Sequence, residues 1–302
     1  MRYNSGMLQL LTLLPIWYQY TFVFILGLII GSFLNVVIYR FHTGKSLSGH
    51  SHCLSCGHTL RWYELFPLCS YVFLLGKCKS CGCKIPVRYF LVEFSTALLF
   101  LLLYIQLPMG MLLWFSMALI TVLMIITVYD MYHMIIPNEL VLVTSACALL
   151  YFGLFYYQSW SFTALLMHSL AAFGAFLFYG GLWFVSKGRW IGFGDAKLAI
   201  PLGFIVGTPA VFSMVIFSFW IGAGISLCII WFPYMVHIIR VVLQRIKNLY
   251  LRCTHCPQTP VVNYSKSLTM KSEVPFAPFM IAAFLLVYVY QVDVLVFMAS
   301  IL

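Results

Sequence analysis

Negative charge is almost absent from this chain. Of 302 residues only seven are Asp or Glu, against 17 Lys or Arg, and the charged types together make up 8%. With 63% hydrophobic residues and a mean hydropathy of +1.00, that scarcity excludes a soluble domain, which needs a charged shell around its core. Internal repeats, heptad arrays and low-complexity segments are also lacking, which removes solenoid, coiled-coil and disordered classes. The first apolar stretch has no A-x-A cleavage site after it and carries its basic flank on the C-terminal side. It reads as an anchor retained in the mature chain, not as a signal peptide.

What the chain has instead is long apolar runs. About 20 apolar residues cross a bilayer core as a helix. By that measure spans fall at roughly 18–39, 89–106, 109–129, 139–157, 162–186, 195–207, 210–239 and 276–300. The expected fold is an all-α polytopic membrane protein of about eight transmembrane helices, with Pro201 and Pro209 breaking the sixth. Basic residues cluster in alternate gaps: Arg40 to Arg88, then Lys187, Arg189 and Lys197, then Arg240 to Lys271. The gaps near Pro108, Ser159 and Thr208 hold none, and only Arg2 falls on the other side. The positive-inside rule then places the basic loops in the cytosol and the N-terminus outside. Topology accounts for the net charge of +10, so the expected partner is the lipid bilayer and not nucleic acid.

Two of the few carboxylates stand at ends of apolar runs. Asp130 closes MALITVLMIITVYD, and Asp195 closes Gly192-Phe193-Gly194-Asp195 and opens the next run. In the topology above both fall on the cytosolic side. An ionisable group at the edge of a bilayer core is a functional candidate by default. Two such carboxylates share one proton, so that one takes a proton from water while the other donates to a carbonyl oxygen. This is the aspartic protease scheme, with no covalent intermediate. Gly192 and Gly194 would let backbone approach a substrate, and an extended peptide can pair along such an edge. The plainer readings are a water-facing helix end for Asp130, an N-cap for Asp195 and a snorkelling surface lysine for Lys197.

Residues 40–88 are the one sizeable polar segment, and six of the ten cysteines lie there. Cys53-x-x-Cys56 and Cys78-x-x-Cys81 are separated by 21 residues, the spacing of a tetrahedral four-thiolate zinc site. Gly57 and Gly82 follow the two pairs and suit tight turns. A cytosolic loop is kept reduced, which disfavours disulfides. His52 and His58 adjoin the first pair as alternative donors, while Cys69 and Cys83 read as bystanders. In the last loop, Cys253-Thr-His-Cys256 is a weak metal signal and reads as solvated chain. Cys147, Cys228 and His168 read as packed helix residues. The chain thus divides into 1–39, an N-terminal segment and first helix; 40–88, a cytosolic tetracysteine loop; and 89–302, a membrane aspartyl peptidase core with a basic cytosolic loop at about 240–273.

Six stretches in order resemble the bacterial type IV prepilin peptidases: Gly27 to Arg40; the four cysteines; Pro67 to Tyr71 with Arg88 to Glu93; Asp130 with Ile136-Pro137-Asn138; Gly192 to Leu198; and Val274 to Phe279. The resemblance implies an enzyme of the bacterial cytoplasmic (inner) membrane with two activities. It implies that Asp130 and Asp195 cleave the basic leader of prepilins or pseudopilins at the cytosolic face, after a glycine. It also implies methylation of the new N-terminal amine with S-adenosylmethionine, for which Glu93 is the candidate residue; the plainer reading of Glu93 is a carboxylate favoured by the helix dipole. Two departures stand out: the last loop is long, and Leu74 and Leu75 stand where a basic residue precedes Gly76. Alternatives are a presenilin or signal-peptide-peptidase-like protease, whose Pro-Ala-Leu is missing here, and a cation transporter, which would carry acids at mid-membrane.

Overall fold

The computed structural model describes residues 14–41, 43, 46, 49–53, 55–155, 161–208, 210–229, 231 and 275–294. They hold nine α-helices: α1 Ile16–Arg40, α2 Cys69–Phe73, α3 Arg88–Gln106, α4 Met111–His133, α5 Asn138–Phe155, α6 Phe162–Ser186, α7 Phe193–Val206, α8 Ala210–Ile229 and α9 Ala277–Tyr290. A 3-10 turn at Trp62–Glu64 and two isolated bridges complete the regular structure among the described residues. The basic loop at 240–273, Cys253, Cys256 and the tail of the 210–239 span lie outside them.

The all-helical, multi-pass architecture agrees with the sequence. Six helices, α1, α3, α4, α5, α6 and α8, are long and apolar enough to cross a bilayer. The other two expected spans are short. α7 and α9 have 14 residues each, about 21 Å at the helical rise against a hydrocarbon core of about 30 Å. α9 stops where Gln291 turns left-handed at φ 51°, although apolar residues continue beyond it. Pro201 does not break α7 but lies inside it; its missing N–H removes one intrahelical bond, and packing against α5 and α6 holds the helix together.

Two antiparallel seams organise the helices. Between α1 and α3, Gln19 meets Tyr104, Gly27 meets Ala97, Gly31 meets Glu93, and Asn35 donates to the Tyr89 carbonyl at 3.1 Å. From Gly27 to Asn35 the rungs recur about once per helical turn. Side chains are missing where the backbones come nearest: a Cβ on Gly27 would lie 2.6 Å from Ala97 Cα, and one on Gly31 would lie 2.7 Å from Glu93 Cα. This is the small-x-x-x-small packing of membrane helices, which gains dispersion contact where lipid supplies no hydrophobic drive. The α6–α7 seam uses the same device, with Gly203 against Ala171, Ala172 and Ala175, and Gly180 facing Ala196. α4 touches α1, α3, α5 and α9. Its most apolar window is 56% buried, against 28–33% for the other long helices, which suits a segment apolar on all sides.

Candidate active site and metal centre

Asp130 sits one turn inside the end of α4, not at its end, because the helix continues through His133. Asp195 is not the N-cap of α7. That position belongs to Gly192, whose N–H donates to Asp195 Oδ2 at 3.2 Å, so the carboxylate folds back over the first turn. The two aspartates are 5% and 6% exposed. Their elements meet directly: a Cβ on Gly194 would lie 3.1 Å from Ile136 Cβ, in the link between α4 and α5. A Cβ on Gly192 would lie 3.3 Å from Asp195 Oδ2. The nearest neighbour of Gly192 is therefore an aspartate, and that of Gly194 is the link that follows α4.

Each carboxylate has one tethered side and one free oxygen. The Ala277 N–H at the start of α9 acts on Asp130, and the Gly192 N–H acts on Asp195. Asp130 Oδ2 and Asp195 Oδ1 are buried without a hydrogen-bond partner. Buried polar atoms without partners are rare because each costs roughly 1–3 kcal/mol of desolvation, and two in one place mark a site built for something polar. Lys197 does not neutralise them: its Nζ donates to Asn138 Oδ1 at 2.9 Å and lies 4.9 Å from the Phe193 ring centroid. Where α6 packs on α7 and Gly180 faces Ala196, the fully buried Tyr179 bonds Ser218 at 2.8 Å and packs on Phe276, the residue before Ala277. Sequence reasoning missed Tyr179 and Ala277, since only the packing of α6, α8 and α9 brings them to the site. Glu93, Asp130, Glu139 and Asp195 all lie near helix ends, not at mid-membrane as a cation pathway would require.

The four predicted cysteines converge. The sulfurs of Cys53, Cys56, Cys78 and Cys81 lie within 4.8 Å of one another, with Cys53 and Cys81 3.8 Å apart. Tetrahedral Zn–S bonds of about 2.3 Å put sulfurs about 3.8 Å apart, so this donor set fits a four-thiolate ion. The two knuckles are copies of one hairpin. Cys53 N–H donates to the His58 carbonyl and Cys78 N–H to the Cys83 carbonyl, both at 2.8 Å; Gly57 and Gly82 turn at φ 71° and 69°; and the bridges His52–Thr59 and Lys77–Lys84 close them. Backbone N–H groups of Cys56 and Ser55 lower the Cys53 thiol while the neighbouring sulfurs raise that of Cys81, so without an ion the cluster favours a thiolate at Cys53 that its thiol neighbours hydrogen-bond. His52, His58, Cys69 and Cys83 fall outside the four-sulfur set.

Between this module and helices α1 and α3 lies a cavity of about 200 Å³. Its wall includes Glu93, Glu64, Arg40, Asn35 and the rings of Tyr39 and Tyr89. Glu93 Oε2 accepts from the Leu68 N–H at 2.9 Å, and so joins α3 to the base of α2. Glu64 Oε2 accepts from the Arg61 N–H at 2.8 Å, and Arg40 donates to the Ser46 carbonyl at 2.7 Å. Glu64, Arg40 and Asn35 were not singled out from sequence. A lone acid among the basic residues of the loop was the available signal for Glu64.

Residues 25–107 match the family model described as the bacterial peptidase A24 N-terminal domain, and residues 117–227 match that of the type IV leader peptidase family. The chain is similar to proteins named prepilin leader peptidase/N-methyltransferase. With that of Myxococcus xanthus (strain DK1622) it is 34% identical over 212 residues, covering 68% of this chain and 62% of the relative. With that of Bacillus subtilis (strain 168) it is 35% identical over 204 residues, 66% of this chain and 79% of the relative. With that of Pectobacterium carotovorum subsp. carotovorum it is 31% identical over 248 residues, 72% and 85%. No solved structure matches the chain.

Proposed function

The chain belongs to the type IV leader peptidase family, and from that premise we propose that it is a membrane aspartyl endopeptidase of the bacterial inner membrane. Its substrates are prepilins or pseudopilins, whose basic leader it removes at the cytosolic face. The observation that carries this reading is the pair of buried, unpartnered oxygens on Asp130 and Asp195. A water held between them loses a proton to the ionised carboxylate. Its oxygen adds to the scissile carbonyl carbon while the protonated carboxyl donates to the carbonyl oxygen. Collapse of the tetrahedral adduct breaks the C–N bond, and the leaving nitrogen takes up a proton. The Gly192 and Ala277 N–H groups fix which oxygen of each aspartate faces the water. The reading includes eight spans, α7 and α9 being short ones that bring these N–H groups to the aspartates, with the N-terminus outside.

The second activity is N-methylation of the new N-terminus, at the cavity under the cysteine module. S-adenosylmethionine supplies an electrophilic methyl group when bound. Glu64 and Glu93 suit its cationic centre and ammonium, Arg40 its carboxylate, and a tyrosine ring its adenine. Zinc in the four-thiolate site holds the module over the cavity as a structural ion.

The test is mass spectrometry of a prepilin incubated with purified enzyme, which reads cleavage and methylation in one spectrum. Asp130→Asn and Asp195→Asn are each expected to slow cleavage by at least about 10²-fold, the lower range for a lost acid–base group, at unchanged membrane insertion. Substantial cleavage by either variant would refute the two-aspartate mechanism.

A further inference from the structure

The polypeptide between the two cysteine knuckles carries an apolar surface that no other described residue covers. Trp62 is 75% exposed, Phe73 85% and Leu75 83%, with Phe66 and Val72 also open. None of the five residues of α2 is buried. Such a cluster on a water-facing loop would be an aggregation liability. Leu68 and Leu75 bracket α2 with φ of 56° and 51°, a left-handed backbone that a leucine keeps only where its surroundings impose it.

The position of this surface is fixed from below. The Leu68 N–H is held by Glu93, five residues past the start of α3 and so about 7.5 Å along its axis. α2 therefore sits beside the end of a membrane helix, not above it. The Tyr71 ring meets Phe90 at 5.5 Å, and Phe90 stacks on Phe94 at 6.0 Å. The outward stripe formed by Val87, the N-cap of α3, with Leu91, Phe94 and Leu98 thus runs toward α2. Arg61, Lys77, Lys79 and Lys84 are exposed around the patch, and the one acid between residues 61 and 88, Glu64, is buried.

We infer that residues 62–75 form an interfacial foot: Trp62, Phe66, Val72, Phe73 and Leu75 enter the headgroup–acyl boundary of the adjacent leaflet, and Arg61, Lys77 and Lys79 meet anionic headgroups. Aromatic and aliphatic groups ringed by Lys and Arg are the chemistry of interfacial anchors, and each basic residue near an anionic surface adds to the attraction. The inference rests on the membrane reading of α3 and is independent of the peptidase assignment. It gives the module a fixed height over the bilayer, and with it the cavity the module covers.

The test places p-benzoyl-phenylalanine at Phe73, Leu75, Ser80 or Leu98 of the full chain in nanodiscs and reads adducts by mass after illumination. Leu98, on the α3 stripe, reports whether that helix is in lipid at all. Lipid adducts are expected at positions 73 and 75 as at 98, and not at Ser80 on the tip of the second knuckle. The yield at 73 should rise several-fold from phosphatidylcholine discs to discs containing phosphatidylglycerol, and Lys77→Glu with Lys79→Glu should cancel that rise. Adducts at 98 without adducts at 73 and 75 would overturn the foot. Adducts at 73 only to an added prepilin would reassign the surface to substrate. Equal yields in both lipids would overturn the headgroup contacts.

Discussion

Gly31→Ala puts one methyl group where two helix backbones touch. The added Cβ would lie 2.7 Å from Glu93 Cα and 3.2 Å from the Glu93 carbonyl oxygen. These are backbone atoms, so no side-chain rotation relieves the clash, and α3 must retreat by about 0.7 Å to reach an ordinary 3.4 Å contact. Overpacking of this kind costs about 1–3 kcal/mol. The retreat carries Glu93 with it and stretches the 2.9 Å bond to Leu68 that seats the module over the cavity. Misplacement by about 1 Å costs up to roughly 100-fold in rate, so methyl transfer should fall by about ten-fold or more. Cleavage should stay within about three-fold, because the aspartates hang on α4, α7 and the start of α9. The assay is the intact mass of processed pilin against time, beside a thermal melt. Gly27→Ala is the control: it opens the same seam at Ala97, one turn from Glu93, and should lower stability as much but methylation less. Glu93→Gln should keep cleavage and lose methylation. Gly31→Ala methylating at the unaltered rate would refute the seating of the methylation cavity on this seam, and equal loss of both activities would mean that the seam also supports the aspartates.

Other expectations follow from particular contacts. Gly194→Ala should slow cleavage by driving Cβ into Ile136, and Ile136→Ala, which removes the side-chain atoms at 3.3 and 3.5 Å, should restore part of the rate; absence of any rescue would return Gly194 to the substrate. Purified protein should carry about one zinc per chain by metal analysis, and Cys53→Ser with Cys78→Ser should remove it; zinc retained there would point to Cys253 and Cys256. The ion is held by thiolates, so protons compete with it and its occupancy falls as the pH is lowered. Zinc release monitored by a chelating dye should therefore appear on acidification; release on raising the pH would contradict the sign.

The parts legible in the sequence are those that local spacing or scarcity specifies. A C-x-x-C-Gly knuckle contains its own turn, so Cys53, Cys56, Cys78 and Cys81 could be placed together without knowledge of the helices. Asp130 and Asp195 stood out because so few acids surround them. Less legible were the lengths of α7 and α9: hydropathy runs on past Gln291, while the end of α9 is decided by one residue's backbone. The Gly27-x-x-x-Gly31 spacing announces a close helix contact, but no single-chain pattern says that Ala97 and Glu93 receive it. Tyr179 matters through contacts with Ser218 and Phe276 on distant elements, and its own neighbours in sequence carry no sign of it.

The twin knuckles have a consequence for chain entropy. An ion joining Cys53 to Cys81 closes a loop of 28 residues, and cross-linking a loop of that length removes roughly 3.5 kcal/mol of freedom from the unlinked chain. Much of the cavity wall on the module side is contributed by that loop, while Ser32, Asn35 and Glu93 stand on membrane helices that need no metal to form. Loss of the ion would leave the lower half of the cavity in place and return the upper half to a polymer with few apolar contacts of its own. On the proposed function the chain would then be an ordered peptidase bearing a disordered methylation site, and the metal would govern the fate of the newly exposed amine without touching the bond that was cut.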